Sequence, residues 1–201
     1  MVDERKVGVG PHLPPWPDDE RLDRKLLGEG DRRNVLDEYR YWKTEAIVAD
    51  LDTRRHSFHV AIENFQHDFN IGTIVRNANA FLAHTVHIVG KKRWNRRGAM
   101  VTDRYQHIEH HGSVGQFVDW ADGADIEIVG IDITVDSKPI ETASLPDRCV
   151  LAFGQEGSGL SDEIIEHCTE VLHITQYGST RSINVGVASG IAMYKWLLEH
   201  D

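Results

Sequence analysis

The feature that most restricts this chain is an alternation. Short β-rich runs lie at 58–64 (FHVAIEN), 85–90 (TVHIVG), 126–132 (IEIVGID), 149–154 (CVLAFG) and 170–175 (EVLHIT). Between them are stretches with helical spacing near 70–83, 113–121 and 160–168, and a last one from about 183 to 199. Strands that are apolar almost throughout are buried on both faces. Strands alternating with helices predict a parallel sheet with helices on both sides. An α/β domain is therefore expected over residues 51–201. Residues 1–50 read as an appendage: a Pro- and Gly-rich arm over 1–17, then one or two amphipathic helices over 18–51, broken at "GEGD" (28–31).

Charge narrows the function classes. The net charge is −10, which speaks against a generally basic nucleic-acid binder. The distribution is uneven, however. Residues 51–120 carry 9 basic and 6 acidic side chains and 8 of the 12 histidines, whereas residues 121–201 carry 4 and 14. An anionic partner would approach that positive middle. No run has the length and apolarity of a membrane-spanning helix, and the N-terminal stretch has no apolar signal core. Two cysteines, Cys149 and Cys168, form neither a disulfide framework nor a zinc set, and read as core residues. These features predict a reduced, cytoplasmic protein.

In a sheet of this kind, ligands sit beyond the carboxyl ends of the strands. Three stretches fall there. "NFQHDFNIGTIVRNANAF" opens a helix at about Asn70, a candidate N-cap, and Gly72 lets another backbone come close. Arg76 follows nearly two turns later among small and apolar neighbours. It needs a carboxylate or phosphate: an interhelical ion pair and an anionic ligand both satisfy it. "LAFGQEGSGLSDEI" is a glycine-rich strand-to-helix turn with Ser161 as candidate cap. It lacks the G-x-G-x-x-G of a dinucleotide site, and Glu156 in it would repel a phosphate. It reads either as a plain tight turn or as a seat for a cationic or hydroxyl-bearing ligand.

The third stretch is "ITQYGSTRSINVGVASGIAMYKW". Apolar residues at 183, 187, 191, 194 and 198 make a helical stripe, and Gly186, Ser189 and Gly190 make a second face without bulk. Glycine inside a helix costs up to about 1 kcal/mol relative to alanine, so the bare face predicts something packed very close, a second helix or a partner subunit. Ser182 or Asn184 caps this helix.

Together the three stretches resemble the motifs of the SpoU–TrmH RNA 2'-O-ribose methyltransferases of the SPOUT class, in order and over about residues 57–199. The resemblance implies a C-terminal deep trefoil knot, which breaks the usual rule against knots. It implies S-adenosyl-L-methionine as cofactor, contacted around Gly154, Ile174 and Ile183, with Ile131 and Asp132 nearby. The family's catalytic and substrate-handling positions match Asn70, Arg76, Glu156, Ser182 and Asn184. It also implies a homodimer with the active site at the interface, RNA (tRNA or rRNA) as substrate, and no metal. Thr175 stands where the family often has proline, Ile183 for its usual leucine, and Leu82 for a usual glycine.

Two further clusters remain. "KKRWNRR" places Lys91, Lys92, Arg93, Arg96 and Arg97 around Trp94, which suits a phosphate backbone and a stacked base. In "HIEHH", His107, His110 and His111 match no zinc spacing and read as a surface or RNA-facing cluster. The leading reading is an RNA 2'-O-methyltransferase. A non-catalytic RNA-binding SPOUT protein and another adenine-cofactor enzyme on an ordinary doubly wound sheet are the alternatives.

Overall fold

The computed structural model describes residues 8–65, 70–155 and 157–201. They form two compact units, Met1–Arg54 and Arg55–Asp201.

In the first unit, α1 (Arg24–Glu29) starts at Asp23, whose carboxylate accepts the Lys25 and Leu26 N–H groups. α2 (Thr44–Asp52) follows a 3-10 turn at Asp37–Tyr39. The break between the helices is held by buried Asp31. Its carboxylate takes two N–H groups from the Arg33 side chain (2.9 and 2.7 Å) and the Tyr41 N–H (3.0 Å). Burial opposes that charge, but these donors outweigh it and hold the carboxyl down at about 2.

The second unit is built on a sheet of seven parallel strands. In chain order its elements are β1 (His59–Asn64), α3 (Ile71–Ala80), β2 (Thr85–Gly90), β3 (His107–His111), α4 (Val114–Ala124), β4 (Glu127–Ile131), β5 (Lys138–Pro139), β6 (Cys149–Phe153), α5 (Asp162–Ile165), β7 (Glu170–His173) and α6 (Val185–His200). The strand order is β3-β2-β1-β6-β4-β7-β5, and every pairing is parallel. β1 and β6 are buried along their whole length, as their sequences require. Side chains alternate between two cores. Val60, Ile62 and Phe153 point to the face covered by α3 and α6, while Ala61, Val89 and Ala152 point to the face covered by α4 and α5.

Two strands escape the sequence pattern. β3 is the polar run His107–His111, and β5 has only two residues; both lie at sheet edges. Edge strands need pairing partners more than apolar side chains, so period and propensity do not reveal them.

The last helix also differs from its pattern. The apolar stripe faces outward: Val187, Ile191, Tyr194 and Leu198 are 40–68% exposed. The face with Gly186, Ser189, Ala192, Met193 and Trp196 is the buried one. The close partner expected for the bare face is α3 of the same chain. A Cβ on Gly186 would stand 2.8 Å from Thr73 Cγ2, and Asn77 Nδ2 donates to Gly186 O (2.8 Å) and Ser189 Oγ (3.0 Å).

Candidate active site at the carboxyl ends of the strands

The first and third motifs meet where α3 and α6 begin. Asn184 is the N-cap of α6, its Oδ1 accepting from Gly186 N (2.9 Å) and Val187 N (3.4 Å). That orientation leaves Nδ2 free to donate to Asn70 Oδ1, 2.9 Å away. Asn70 holds the N-cap position of α3 but has helical backbone angles and makes no side-chain cap bond, so its expected role as a cap is not the one it has here. Its side chain reaches across to α6 instead. Gly72 behaves as expected: a Cβ there would lie 2.7 Å from Ala99 N, so the backbone after the basic loop approaches the first turn of α3.

Arg76 projects from α3 into solvent, and its guanidinium has no hydrogen-bond or ion-pair partner among the described residues. Among the described residues no interhelical ion pair holds it. Ser182 and Ile183 are exposed just before α6.

The second motif closes the wall. Gly154 follows β6 directly, and a Cβ on it would fall 1.9 Å from Gly159 C, so only glycine fits under the folded-back turn. Gln155 and Gly159 exchange backbone bonds of 3.0 Å each. Gln155 Oε1 accepts from Phe65 N (2.9 Å), joining this turn to the end of β1. Asp132, just past Ile131 at the end of β4, accepts from Leu160 N (2.7 Å) and Ile133 N (2.7 Å). Asp132 thus anchors the turn with its own carboxylate. Glu156 lies outside the described residues. Ile174 follows β7 and is half-buried. Two residues on, Gln176 Oε1 is a buried acceptor without a donor among the described residues.

Glu63 was not singled out from sequence, although a lone acid in "FHVAIEN" was a signal. It is fully buried at the end of β1, where its carboxylate accepts from Ser161 N (2.8 Å) and Ser161 Oγ (2.6 Å). Ser161 Oγ in turn caps α5 by accepting from Ile164 N (3.3 Å). Burial pushes the Glu63 carboxyl up, Glu163 and Asp132 push the same way, and the Ser161 bonds only partly offset this.

The basic loop leaves β2 beside this region and is tied back by Asn64 Nδ2, which donates to Lys91 O (2.6 Å) and Arg93 O (2.9 Å). Lys91, Lys92, Arg93 and Arg97 are exposed. Trp94 packs partly against the core, and Arg96 sits over its ring at 5.6 Å while pairing with Asp103 at 3.4 Å. The ring is therefore less open to a base than the sequence suggested. Lys92, Trp94, Arg96, Asp103 and His110 line a groove of about 320 Å³.

Residues 57–194, which include both helix starts and the glycine turn, match the SpoU rRNA Methylase family. The chain belongs to that family. An uncharacterized tRNA/rRNA methyltransferase of Mycobacterium ulcerans (strain Agy99) is 31% identical over 156 residues, 74% of this chain and 49% of that protein. One from Mycobacterium avium (strain 104) is 30% identical over 141 residues, 67% of this chain and 45% of that protein. This SpoU-family chain thus spans about half the length of the curated relatives it matches. Its fold is that of solved family structures. The A. aeolicus TrmH/SpoU tRNA modifying enzyme superposes with a TM-score of 0.68 at 24% identity, over 78% of this chain and 81% of that one. The AdoMet-bound rRNA methyltransferase from Sinorhizobium meliloti gives 0.66 at 23% identity, over 75% and 60%.

Proposed function

We propose that this chain is a cytoplasmic S-adenosyl-L-methionine-dependent methyltransferase that methylates a ribose 2'-hydroxyl of tRNA or rRNA as a homodimer. The observation that carries the proposal is the Asn184–Asn70 bond, which draws the first and third family motifs together, with exposed Arg76 on the same helix as Asn70. The cofactor is taken from the family, two of whose similar structures are described as AdoMet-bound.

The residues present fit that cofactor. Gln176 Oε1 is a buried acceptor lacking a donor, and S-adenosylmethionine carries an adenine amino group and an ammonium group to supply one. Backbone at Gly154, Ile174 and Ile183 would hold it, with Ile131 as apolar wall and Asp132 fixing the turn. Bound there, it supplies an electrophilic sulfonium methyl group.

The protein's task is then to position a poor nucleophile and remove its proton. Positioning accounts for much of the acceleration in such reactions. A guanidinium is a very weak base, so Arg76 acts as a clamp on the neighbouring phosphate and as electrostatic support, with proton removal shared or relayed. Asn184 and Asn70 hold the two helix starts in register, Ser182 bonds the ribose or the arginine, and Glu156 belongs to the same set by motif position. Methyl transfer so described uses no metal.

RNA would lie along the exposed cations Lys91, Lys92, Arg93 and Arg97, with Arg96 and Trp94 forming the groove wall. The exposed apolar stripe of α6 supports the homodimer, because contiguous apolar patches of that kind mark association surfaces. The family's C-terminal trefoil knot is part of the same proposal.

The test uses radiolabelled S-adenosylmethionine with tRNA and rRNA lacking native modifications, followed by nuclease digestion. Label in a 2'-O-methyl nucleoside is the expected result. Cofactor binding and RNA binding without any transfer would replace this reading by a non-catalytic RNA-binding protein.

A further inference from the structure

The face of the sheet under α4 carries a line of histidines that methyl transfer does not use. The parallel register places His87 of β2 beside Glu109 of β3, and His111 beside Val89. Residues two apart on a strand share a face, so His87, Glu109 and His111 converge on the same side. His87 Nδ1 lies 2.9 Å from His111 Nε2 and 3.8 Å from Glu109 Oε2. One donor atom from each of the three residues falls within 4.8 Å of the others. The sequence suggested a surface cluster at "HIEHH". That description suits His107 and His110, which are exposed, but His111 turns inward and is 8% exposed.

These separations suit a single small cation. Two ligands about 2.1 Å from a tetrahedral ion stand roughly 3.4 Å apart, and the two measured spacings bracket that value. Two imidazoles and a carboxylate are a common donor set for zinc and its neighbours. The outer arrangement fits as well. A metal-bound imidazole usually donates its other ring N–H to a fixed acceptor. Here His87 Nε2 is 3.0 Å from His59 Nδ1, and the Trp120 ring lies 4.0 Å from that of His87. There is also a way in. Glu109, His59, Trp120 and Arg148 line a cavity of about 430 Å³ that opens beside the cluster.

We propose that His87 Nδ1, His111 Nε2 and the Glu109 carboxylate bind one zinc-class divalent transition-metal ion, with water from the adjoining cavity completing its coordination. The ion ties β2 to the edge strand β3 beneath α4. It lies on the sheet face opposite α3 and α6, so its role is structural and independent of the proposed reaction. A carboxylate among the donors separates this arrangement from a ladder of hydrogen-bonded neutral histidines, which needs none.

The test is a zinc titration of the full chain after chelator treatment, read by calorimetry and by thermal unfolding. One ion per chain and a raised Tm are expected. Cobalt in place of zinc should give visible ligand-field absorption, a readout that needs no variant. Glu109→Gln alters a half-exposed side chain and should leave the metal-free Tm unchanged. Loss of an outer-shell partner alone costs about 10- to 100-fold in metal affinity, so removing this ligand should cost at least tenfold. His110→Gln, on the same strand but outside the cluster, should leave affinity unchanged. Absence of binding by the parent chain overturns the proposal. So does equal weakening by His110→Gln, or full affinity in Glu109→Gln.

Discussion

Asn184 donates its side-chain amide to Asn70 Oδ1 over 2.9 Å, joining residues 114 positions apart. One asparagine thereby does two things, since its oxygen caps α6 and its nitrogen holds the start of α3. The two functions can be separated by substitution. Asn184→Asp keeps the cap acceptor, and a carboxylate suits a helix N-terminus, so stability should change by less than about 0.5 kcal/mol. The donor to Asn70 is lost, and methyl transfer should fall at least about tenfold. Asn184→Ala should lose both, with a cost of about 1 kcal/mol in urea unfolding. Full transfer by the aspartate variant would show that the bridge is not needed.

Arg76 is exposed and has no partner among the described residues, so its removal should cost the fold little. Arg76→Ala should unfold within about 0.5 kcal/mol of the parent. Transfer should fall by at least about 100-fold, with S-adenosylmethionine affinity by calorimetry largely intact. Arg76→Lys should recover only part of the loss, because an ammonium cannot grip a phosphate in two places. Normal turnover in the alanine variant would remove Arg76 from the site.

Glu63 gives a pH prediction. Its carboxyl is raised above the ordinary 4.5 in the folded protein, chiefly by burial. Above pH 4.5 the folded state therefore holds a proton that the unfolded chain has released. The contribution of Glu63 to stability is complete below pH 4.5 and is lost as the pH rises through the raised native value. Glu63→Gln should flatten that part of the stability–pH curve, measured by urea unfolding at a series of pH values. An unchanged slope would place its source in other groups.

Arg97 is the cleanest probe of the basic loop, since Arg96 is already engaged by Asp103 and Trp94. Arg97→Glu should weaken tRNA binding and reduce the slope of log K against log salt by about one or more. Binding that keeps its strength and its salt slope would make the loop an ordinary solvated surface.

The outward stripe of α6 yields the test of assembly. Ile191 is 40% exposed on it, between Val187 and Tyr194. Ile191→Asp should convert a dimer to a monomer in sedimentation velocity at a cost to monomer stability of no more than about 1 kcal/mol, because Ile191 lies outside the buried core. A monomeric parent chain would sink the dimer proposal.

Much of the fold could be read from the residues in order. The five apolar runs became β1, β2, β4, β6 and β7, since strands buried on both faces declare themselves by composition alone. Glycine positions were equally legible at Gly72, where the lack of a Cβ is a local property with a direct steric result. The site was only partly visible. The motifs named Asn70 and Asn184, but not the bond between them. Glu63 passed unnoticed because its partner, Ser161, is 98 residues away.

The sequence by itself determined the five interior strands, the parallel α/β architecture and membership in the SpoU family, because periodicity, propensity and short motifs are properties of neighbouring residues. Tertiary structure decided the rest. It turned the bare face of α6 inward and left the apolar stripe outside, made an edge strand of "HIEHH", and set His87 between His59 and His111. The reason is physical. A buried polar group is defined by the partner that satisfies it, and strand order chooses that partner. Nothing in the local sequence of β2 announces that β1 and β3 will flank it.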